Sequence, residues 1–144
     1  MAKEKEKSDL FNYDEDSIKS LDWKEHIRLR PGMYIGKLGD GASPDDGIYV
    51  LVKEVMDNCI DEYTMGLNGV GTKAVNALSN YFKVTAVREG KEKTAEFERG
   101  VLIKEHKEAK TGEENGTLVT FIPDEQVFKN YKYHSEFLEN QIWN

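Results

Sequence analysis

The segment KEVMDNCIDEY, which begins at Lys53, carries polar residues at helical spacing. Glu54, Asn58 and Asp61 share a narrow stripe of the predicted helix, because side chains three or four positions apart lie on one face. Glu62 lies at the margin of this stripe. A carboxylate beside the terminal phosphate of a nucleotide can activate water as a general base, and an asparagine oxygen suits Mg²⁺. A solvated polar face has the same pattern, and the spacing alone favours that plainer interpretation.

A glycine-rich stretch, GLNGVG, follows this helix from Gly66 to Gly71 and leads into a second predicted helix. It is not a dinucleotide-binding fingerprint, because that motif follows a strand. It is not a Walker A loop either, since Thr72 precedes Lys73 and the motif requires the opposite order. Closely spaced glycines at a helix N-terminus expose backbone N–H groups to a phosphate. Anion binding and a tight turn between helices both remain open.

Composition excludes several other kinds of site and partner. Cys59 is the single cysteine, so no intramolecular disulfide can form, which fits a reducing compartment. His26, His106 and His134 lack the spacing of metal ligands. The net charge of −7 should repel nucleic acid phosphates. No run approaches the roughly 18 apolar residues of a membrane span, and we expect a cytoplasmic protein without a signal peptide.

Four helices and four strands must position the candidate residues. Residues 1–16 are charged and aperiodic and predict a flexible arm, whereas 17–144 predict a single domain. Near-helical spacing predicts helices over 17–30, 47–65, 72–81 and 133–143. Period-two patterns predict strands over 81–88, 93–99, 101–107 and 116–123. The predicted fold is α+β, a two-layer sandwich with helices packed on one face of a mostly antiparallel sheet.

Five stretches, read together, are more specific than any spacing. They are SLDWKEHIRLRPGMYIG from Ser20, KEVMDNCIDEY from Lys53, GLNGVGTKAVNALS from Gly66, VREGK from Val87 and NGTLVTFIPD from Asn115. In this order they resemble the GHKL-type (Bergerat) ATPase domain of bacterial type II DNA topoisomerase B subunits. The resemblance runs from about Tyr13 to the end of the chain. The residues of the first stretch, LDWKEHIRLRPGMYIG, favour topoisomerase IV over gyrase.

This resemblance implies a role for each matching residue, with ATP and Mg²⁺ as cofactors. Glu54 matches the general base that activates the attacking water, and Asn58 matches the Mg²⁺ ligand. Arg88 matches an arginine at the mouth of the pocket that inhibitors use. The residues that the resemblance places around ATP are Tyr13, Asn58, Asp61, Glu62, Gly66, Leu67, Asn68, Gly69, Val70, Gly71, Thr72, Thr117 and Val119.

The resemblance also implies partners. Tyr13 and Ile18 fall in the arm that, in this family, reaches a second copy of the B subunit in an ATP-dependent dimer. The topoisomerase A subunit and DNA would bind through domains that this chain lacks, and ATP-site inhibitors would bind at the pocket. No membrane partner is expected.

Two departures from the family pattern concern the pocket. Asn68 stands where the family has histidine, and its amide can still donate a hydrogen bond. Between Met65 and Gly66 the chain lacks the family's adenine-reading D-x-G-x-G motif and the lid over the phosphates. We therefore expect an ATPase domain that binds ATP weakly and hardly hydrolyses it alone. The alternatives are a non-catalytic fragment that binds ligands or inhibitors, and an unrelated α+β interaction module.

Overall fold

The computed structural model describes residues 23–58 and 70–143. Its helices are α1 (23–29), α2 (Gly32–Ile35), α3 (Gly47–Asn58), α4 (Val70–Ala77) and α5 (Ser135–Trp143). Its strands are β1 (Ser79–Arg88), β2 (Lys91–Glu98), β3 (Val101–Glu105), β4 (Ala109–Lys110) and β5 (Gly116–Pro123). The expected arm over 1–16 and the expected continuation of α3 over 59–65 lie outside the described residues.

The strands form one antiparallel sheet in the order β3-β2-β1-β5, and β4 pairs with the outer edge of β2. Alternate residues of β1 point to opposite faces, and Phe82, Val84 and Ala86 are buried on one of them. Val84 lies opposite Ala95 on β2 and Val119 on β5. The register therefore continues this apolar face across three strands.

In each of the two long hairpins the strands are joined by a pair of residues that both have positive φ. Glu89 and Gly90 have φ of 53° and 74° between β1 and β2, and Arg99 and Gly100 have φ of 49° and 84° between β2 and β3. Two left-handed residues give a turn whose twist matches that of the flanking strands. The chain thus reverses in the intervals between the strands predicted over 81–88, 93–99 and 101–107.

The helices cover one face of the sheet. A single hydrophobic cluster contains Ile27 of α1, Leu51 of α3, Val75 of α4 and Phe82 of β1. Helix α3 packs against both α4 and α5. The predicted α+β fold, with helices on one face of an antiparallel sheet, is confirmed.

Two short elements were not predicted. Pro31 ends α1, as expected from its missing N–H, but its carbonyl then accepts hydrogen bonds from Tyr34 N at 2.9 Å and Ile35 N at 3.0 Å and begins α2. Ile35 is buried beside Gly47, where an added Cβ would lie 2.8 Å from Ile35 Cδ1. Strand β4, which lies between the strands predicted over 101–107 and 116–123, pairs with Lys91 and Glu92.

Candidate functional site

Helix α3 carries the predicted catalytic stripe. Most side chains of its first turn are buried, because Ile48, Tyr49 and Leu51 are inaccessible to solvent. Glu54 follows one turn later and is half-buried. Asn58 is the last residue of α3, four positions further along the same face. The helix therefore emerges from the core at the point where the predicted general base lies.

The start of α3 is fixed by the carboxylate of Asp46, which is buried. Asp46 Oδ2 accepts hydrogen bonds from Gly41 N at 2.9 Å and Ser43 N at 3.1 Å. Its Oδ1 receives the Lys37 ammonium at 3.3 Å and no hydrogen bond from the residues described. Burial raises the pKa of Asp46, but the hydrogen bonds from Ser43 and Gly41 outweigh it and leave the pKa below its usual value. The loop before α3 is thus held by an ionised side chain.

Tyrosine hydroxyls tie the same helix to its surroundings. Tyr49 donates to the Gly41 carbonyl at 2.6 Å and accepts from His134 N at 3.0 Å. Tyr133 donates to the Ile48 carbonyl at 2.8 Å. Burial raises the pKa of Tyr133, so this hydroxyl keeps its proton. The orientation of α3 is fixed from the loop on one side and from the segment leading into α5 on the other.

The sheet brings two further predicted residues to the helix-covered face. Thr117 lies opposite Ala86, and Val119 lies opposite Val84. Ala86 and Val84 are buried beneath the helices, and Thr117 and Val119 are half-buried on the same face. Thr72, half-buried in α4, belongs to the helix that packs against α3. Thr117 and Val119 on the sheet therefore face the helix layer that contains Glu54 and Thr72.

Other predicted residues are placed apart or lie outside the described chain. Arg88 is exposed at the end of β1, next to the turn into β2. For Asn58, Val70 and Gly71 the structure describes the helical backbone alone. Outside the described residues lie Tyr13, Ile18, Asp61, Glu62, Gly66, Leu67, Asn68 and Gly69.

A buried ion-pair network that the sequence did not reveal connects the helices to the sheet. Asp124 is fully buried and accepts from Arg99 Nε at 2.8 Å and from Arg28 Nη2 at 2.8 Å. Arg28 also donates to the carbonyl of Ala77, the last residue of α4, at 3.0 Å. Burial raises the pKa of Asp124, but the hydrogen bonds from Arg99, Gln126 N and Arg28 outweigh it and lower the pKa. The network joins α1, α4, the turn after β2 and the end of β5.

The sequence of this chain is similar to those of known proteins. No family model matches the chain. It is 39% identical over 183 positions to the B subunit of DNA topoisomerase 4 from Borreliella burgdorferi, covering 92% of this chain and 30% of that protein. It is 31% identical to the B subunit of DNA gyrase from Spiroplasma citri, covering 91% of this chain and 29% of that protein. The chain thus spans less than a third of the length of either relative.

The fold likewise has a close counterpart among solved structures. The 43K ATPase domain of Thermus thermophilus gyrase B, in complex with an aminocoumarin, superimposes with a TM-score of 0.72 at 27% identity. The match covers 86% of this chain and 45% of that one. Within the described part of the chain, no helix is both long and apolar enough to cross a membrane. The chain belongs to the family of ATPase domains from bacterial type II topoisomerase B subunits, as its motifs indicate.

Proposed function

We propose that this chain binds ATP and Mg²⁺ on the helix-covered side of its sheet and that Glu54 is the general base for ATP hydrolysis. The observation that carries the proposal is the position of Glu54. It is half-buried on a helix whose start is anchored by Asp46, in the helix layer that Thr117 and Val119 of the sheet face.

The chemistry follows from the residue types. The Glu54 carboxylate takes a proton from water as the water oxygen attacks the γ-phosphorus, the bond to the β,γ-bridging oxygen breaks, and ADP and phosphate leave. Asn58 would hold Mg²⁺ through its neutral oxygen, because this hard cation prefers oxygen ligands, and the ion would neutralise charge at the phosphates. Backbone N–H groups at the start of α4 would bind the phosphates.

Adenine recognition is the weak part of this proposed site. The alignment with the Borreliella protein spans 183 positions, whereas this chain has 144 residues, so at least 39 positions of that alignment have no residue here. This supports the absence of a segment, which we place between Met65 and Gly66. Loss of a charge-assisted hydrogen bond to the adenine amino group would cost about 1.5–3 kcal/mol, or one to two orders of magnitude in affinity. We therefore propose weak ATP binding and negligible hydrolysis by this chain alone.

The parent protein would couple ATP binding to dimerisation and to passage of one DNA duplex through another. Its partners would be a second copy of the parent, reached by the arm that contains Tyr13 and Ile18, together with the topoisomerase A subunit and DNA, all in the cytoplasm. The 39% identity to the Borreliella topoisomerase 4 relative supports topoisomerase IV as the parent.

A second candidate function is a non-catalytic fragment that binds inhibitors at the same pocket. The observation that favours it is the structural neighbour, which is a complex with an aminocoumarin. Arg88 would then lie at the mouth of the inhibitor site. In this case an aminocoumarin would raise the unfolding temperature of the chain and ATP would not.

The first test measures intact mass and then binding of a non-hydrolysable ATP analogue, with and without Mg²⁺. A mass near 16.5 kDa with weak, Mg²⁺-dependent binding supports the proposal. No binding at millimolar analogue, together with stabilisation by an aminocoumarin, supports the inhibitor-binding fragment instead.

Catalysis is tested in a longer protein that carries the missing segment and the remaining domains. Glu54→Gln should lower turnover by roughly 100-fold or more while analogue affinity changes little. The matched control is Lys53→Gln, at an exposed position next along α3, which should retain turnover. Full turnover in Glu54→Gln would remove Glu54 from the role of general base.

A further inference from the structure

Among the described strand pairs, charged residues lie directly opposite one another at two places in the sheet, and the two places differ. On the face away from the helices, Glu96 of β2 lies opposite Lys83 of β1 on one side and Lys104 of β3 on the other. Opposite charges across neighbouring strands stabilise a sheet. The charges on this face therefore alternate in the favourable order.

Near the turn between β1 and β2 the opposed charges are alike. Arg88 of β1 lies opposite Lys91 of β2, and Lys91 lies opposite Lys110 of β4 on its other side. Like charges directly opposite one another destabilise a sheet. Three cations in a row across three strands are therefore kept at a cost in stability.

A fourth cation belongs to the same face of the sheet. Ala86 is buried beneath the helices, and Arg88 lies two positions further along β1, so both are on the helix-covered face. Their strand partners share that face, which adds Lys93, opposite Ala86, to Lys91 and Lys110. Arg88 and Lys110 are exposed, and the side chains of Lys91 and Lys93 are 57% and 40% exposed. We call Arg88, Lys91, Lys93 and Lys110 the basic corner.

One carboxylate lies between two of these lysines. Glu108 Oε1 is 3.6 Å from Lys91 Nζ, and Glu108 Oε2 is 3.8 Å from Lys93 Nζ. Both distances exceed a normal hydrogen bond, so the pairs are weak, as exposed ion pairs usually are. Glu89, in the adjacent turn, accepts a hydrogen bond from Asn115 Nδ2 at 3.2 Å. A locally unfavourable arrangement that these contacts offset weakly is typical of a functional site.

The spacing of these cations limits the size of their ligand. Neighbouring strands lie about 4.8 Å apart, so the row from Arg88 to Lys110 spans about 10 Å, and Lys93 lies about 7 Å along β2 from Lys91. Arginine and lysine side chains are long, so their charged ends can converge on one ligand within this span. A short chain of phosphate groups places several negative charges inside it.

The charge of the whole chain disfavours a longer polyanion. The net charge is −7 although the basic corner is positive, so the rest of the surface is acidic. A nucleic acid that bound here would extend over this acidic surface and be repelled. A short polyphosphate interacts mainly with charges within a Debye length of about 10 Å, which the basic corner supplies.

We propose that the basic corner binds a short polyphosphate group, either free or carried by a nucleotide. Its guanidinium and ammonium groups donate charge-assisted hydrogen bonds to phosphate oxygens, and bound phosphate offsets the repulsion along the row. Binding should therefore not depend on the base of a nucleotide. This site is separate from the one proposed for ATP hydrolysis, since it uses neither Glu54 nor Mg²⁺, and the two proposals can fail independently.

Isothermal titration calorimetry with sodium tripolyphosphate, at low salt and without Mg²⁺, measures this binding. Mg²⁺ is left out so that the Mg²⁺-dependent site proposed above contributes little. We expect binding that weakens as salt is added. ATP and CTP, titrated in the same way, identify the source of the phosphate chain: equal affinities for both fit a nucleotide ligand, and binding of tripolyphosphate alone fits the free form.

Lys110→Glu reverses the charge at one end of the row. It should weaken tripolyphosphate binding by roughly tenfold or more. Without ligand it should raise the Tm, because Lys91 would then face an opposite charge. The matched control is Lys129→Glu, which makes the same change in net charge at an exposed position in the segment after β5. The end of β5 pairs with Ser79, at the opposite end of β1 from Arg88, so this control should bind tripolyphosphate as the unmodified chain does.

The proposal holds if the unmodified chain and Lys129→Glu bind tripolyphosphate, while Lys110→Glu is folded by circular dichroism, has a higher Tm and binds more weakly. Four results would overturn it: no binding at millimolar tripolyphosphate; an equal loss in both variants, which would mean diffuse attraction to the whole chain; a lower Tm in Lys110→Glu, which would mean that the row is not strained; or tighter, Lys110-dependent binding of a DNA oligonucleotide, which would make the basic corner a nucleic acid surface.

Discussion

Asp124→Asn keeps the size of a buried side chain and removes the charge on which two arginines converge. Asp124 is fully buried, whereas the side chains of Arg99 and Arg28 are 29% and 24% exposed. Asparagine can still accept the hydrogen bond that Gln126 N gives to Oδ1 at 3.0 Å. The substitution therefore isolates the ion pair from the packing and from the turn after β5.

The expected loss is about 2–3 kcal/mol of unfolding free energy. Removing one partner of a fully buried pair costs about 3–5 kcal/mol, but both arginines here are partly hydrated and the amide retains one hydrogen bond, so the loss is smaller. For a chain of this length the Tm should fall by roughly 6–12 °C.

Urea unfolding at neutral pH, followed by tryptophan fluorescence and circular dichroism, measures this difference. Glu98→Gln is the matched control, because Glu98 contacts the same Arg99 at 3.0 Å but is 50% exposed. It should cost less than about 1 kcal/mol, as exposed ion pairs do. A loss below about 1 kcal/mol in Asp124→Asn, or an equal loss in both variants, would refute the reasoning.

The stabilisation that Asp124 contributes should depend on pH, in a direction that its lowered pKa determines. The pKa of Asp124 is lower in the folded chain than the ordinary value of 3.8, so the unfolded chain binds this proton more readily. The stability that Asp124 contributes is complete above the unfolded pKa and is lost as the pH falls through the folded pKa. The difference in unfolding free energy between the unmodified chain and Asp124→Asn should therefore be constant near neutrality and shrink below pH 3.8. A difference that does not narrow in acid would contradict the ionised state of Asp124.

Two further variants test the anchoring of α3. Gly41→Ala should lower the unfolding free energy by at least about 2 kcal/mol, because φ is +93° and the new Cβ would lie 1.9 Å from the Lys132 carbonyl oxygen. The control is Gly32→Ala, whose new Cβ would have no atom within 4 Å, and equal shifts of Tm in the two variants would contradict this reason. Tyr49→Phe removes the donor to the Gly41 carbonyl and the acceptor of His134 N, and should cost about 1–3 kcal/mol in urea unfolding, whereas an unchanged midpoint would mean that water replaces both contacts.

The fold was largely predictable because its patterns are local. In β1 the buried residues Phe82, Val84 and Ala86 alternate with solvent-facing ones, so period two was visible in the sequence. Helix α2 and strand β4 were not predictable, since four and two residues are too few to show a period. Tertiary contacts decide both, such as the packing of Ile35 against Gly47.

The candidate site was predictable in part, for the same reason. Glu54 and Asn58 are four positions apart on one helix, and that spacing is readable. Asp124 and Arg99 are 25 positions apart and meet only after the sheet has formed. No periodicity marks such a pair, and a charged residue in a polar stretch gives no sign of complete burial.

The anchoring of α3 bears on where a shortened member of this family loses affinity. Asp46 and Tyr49 fix the start of the helix through contacts that involve no nucleotide. The proposed general base Glu54, five residues beyond Tyr49, is therefore positioned before any ligand binds, and preorganisation of this kind would lower the free energy needed to reach a reactive geometry. A deficit in ATP binding by this chain should then come mainly from the adenine end of the pocket. Restoring that end would raise affinity without any change at Glu54.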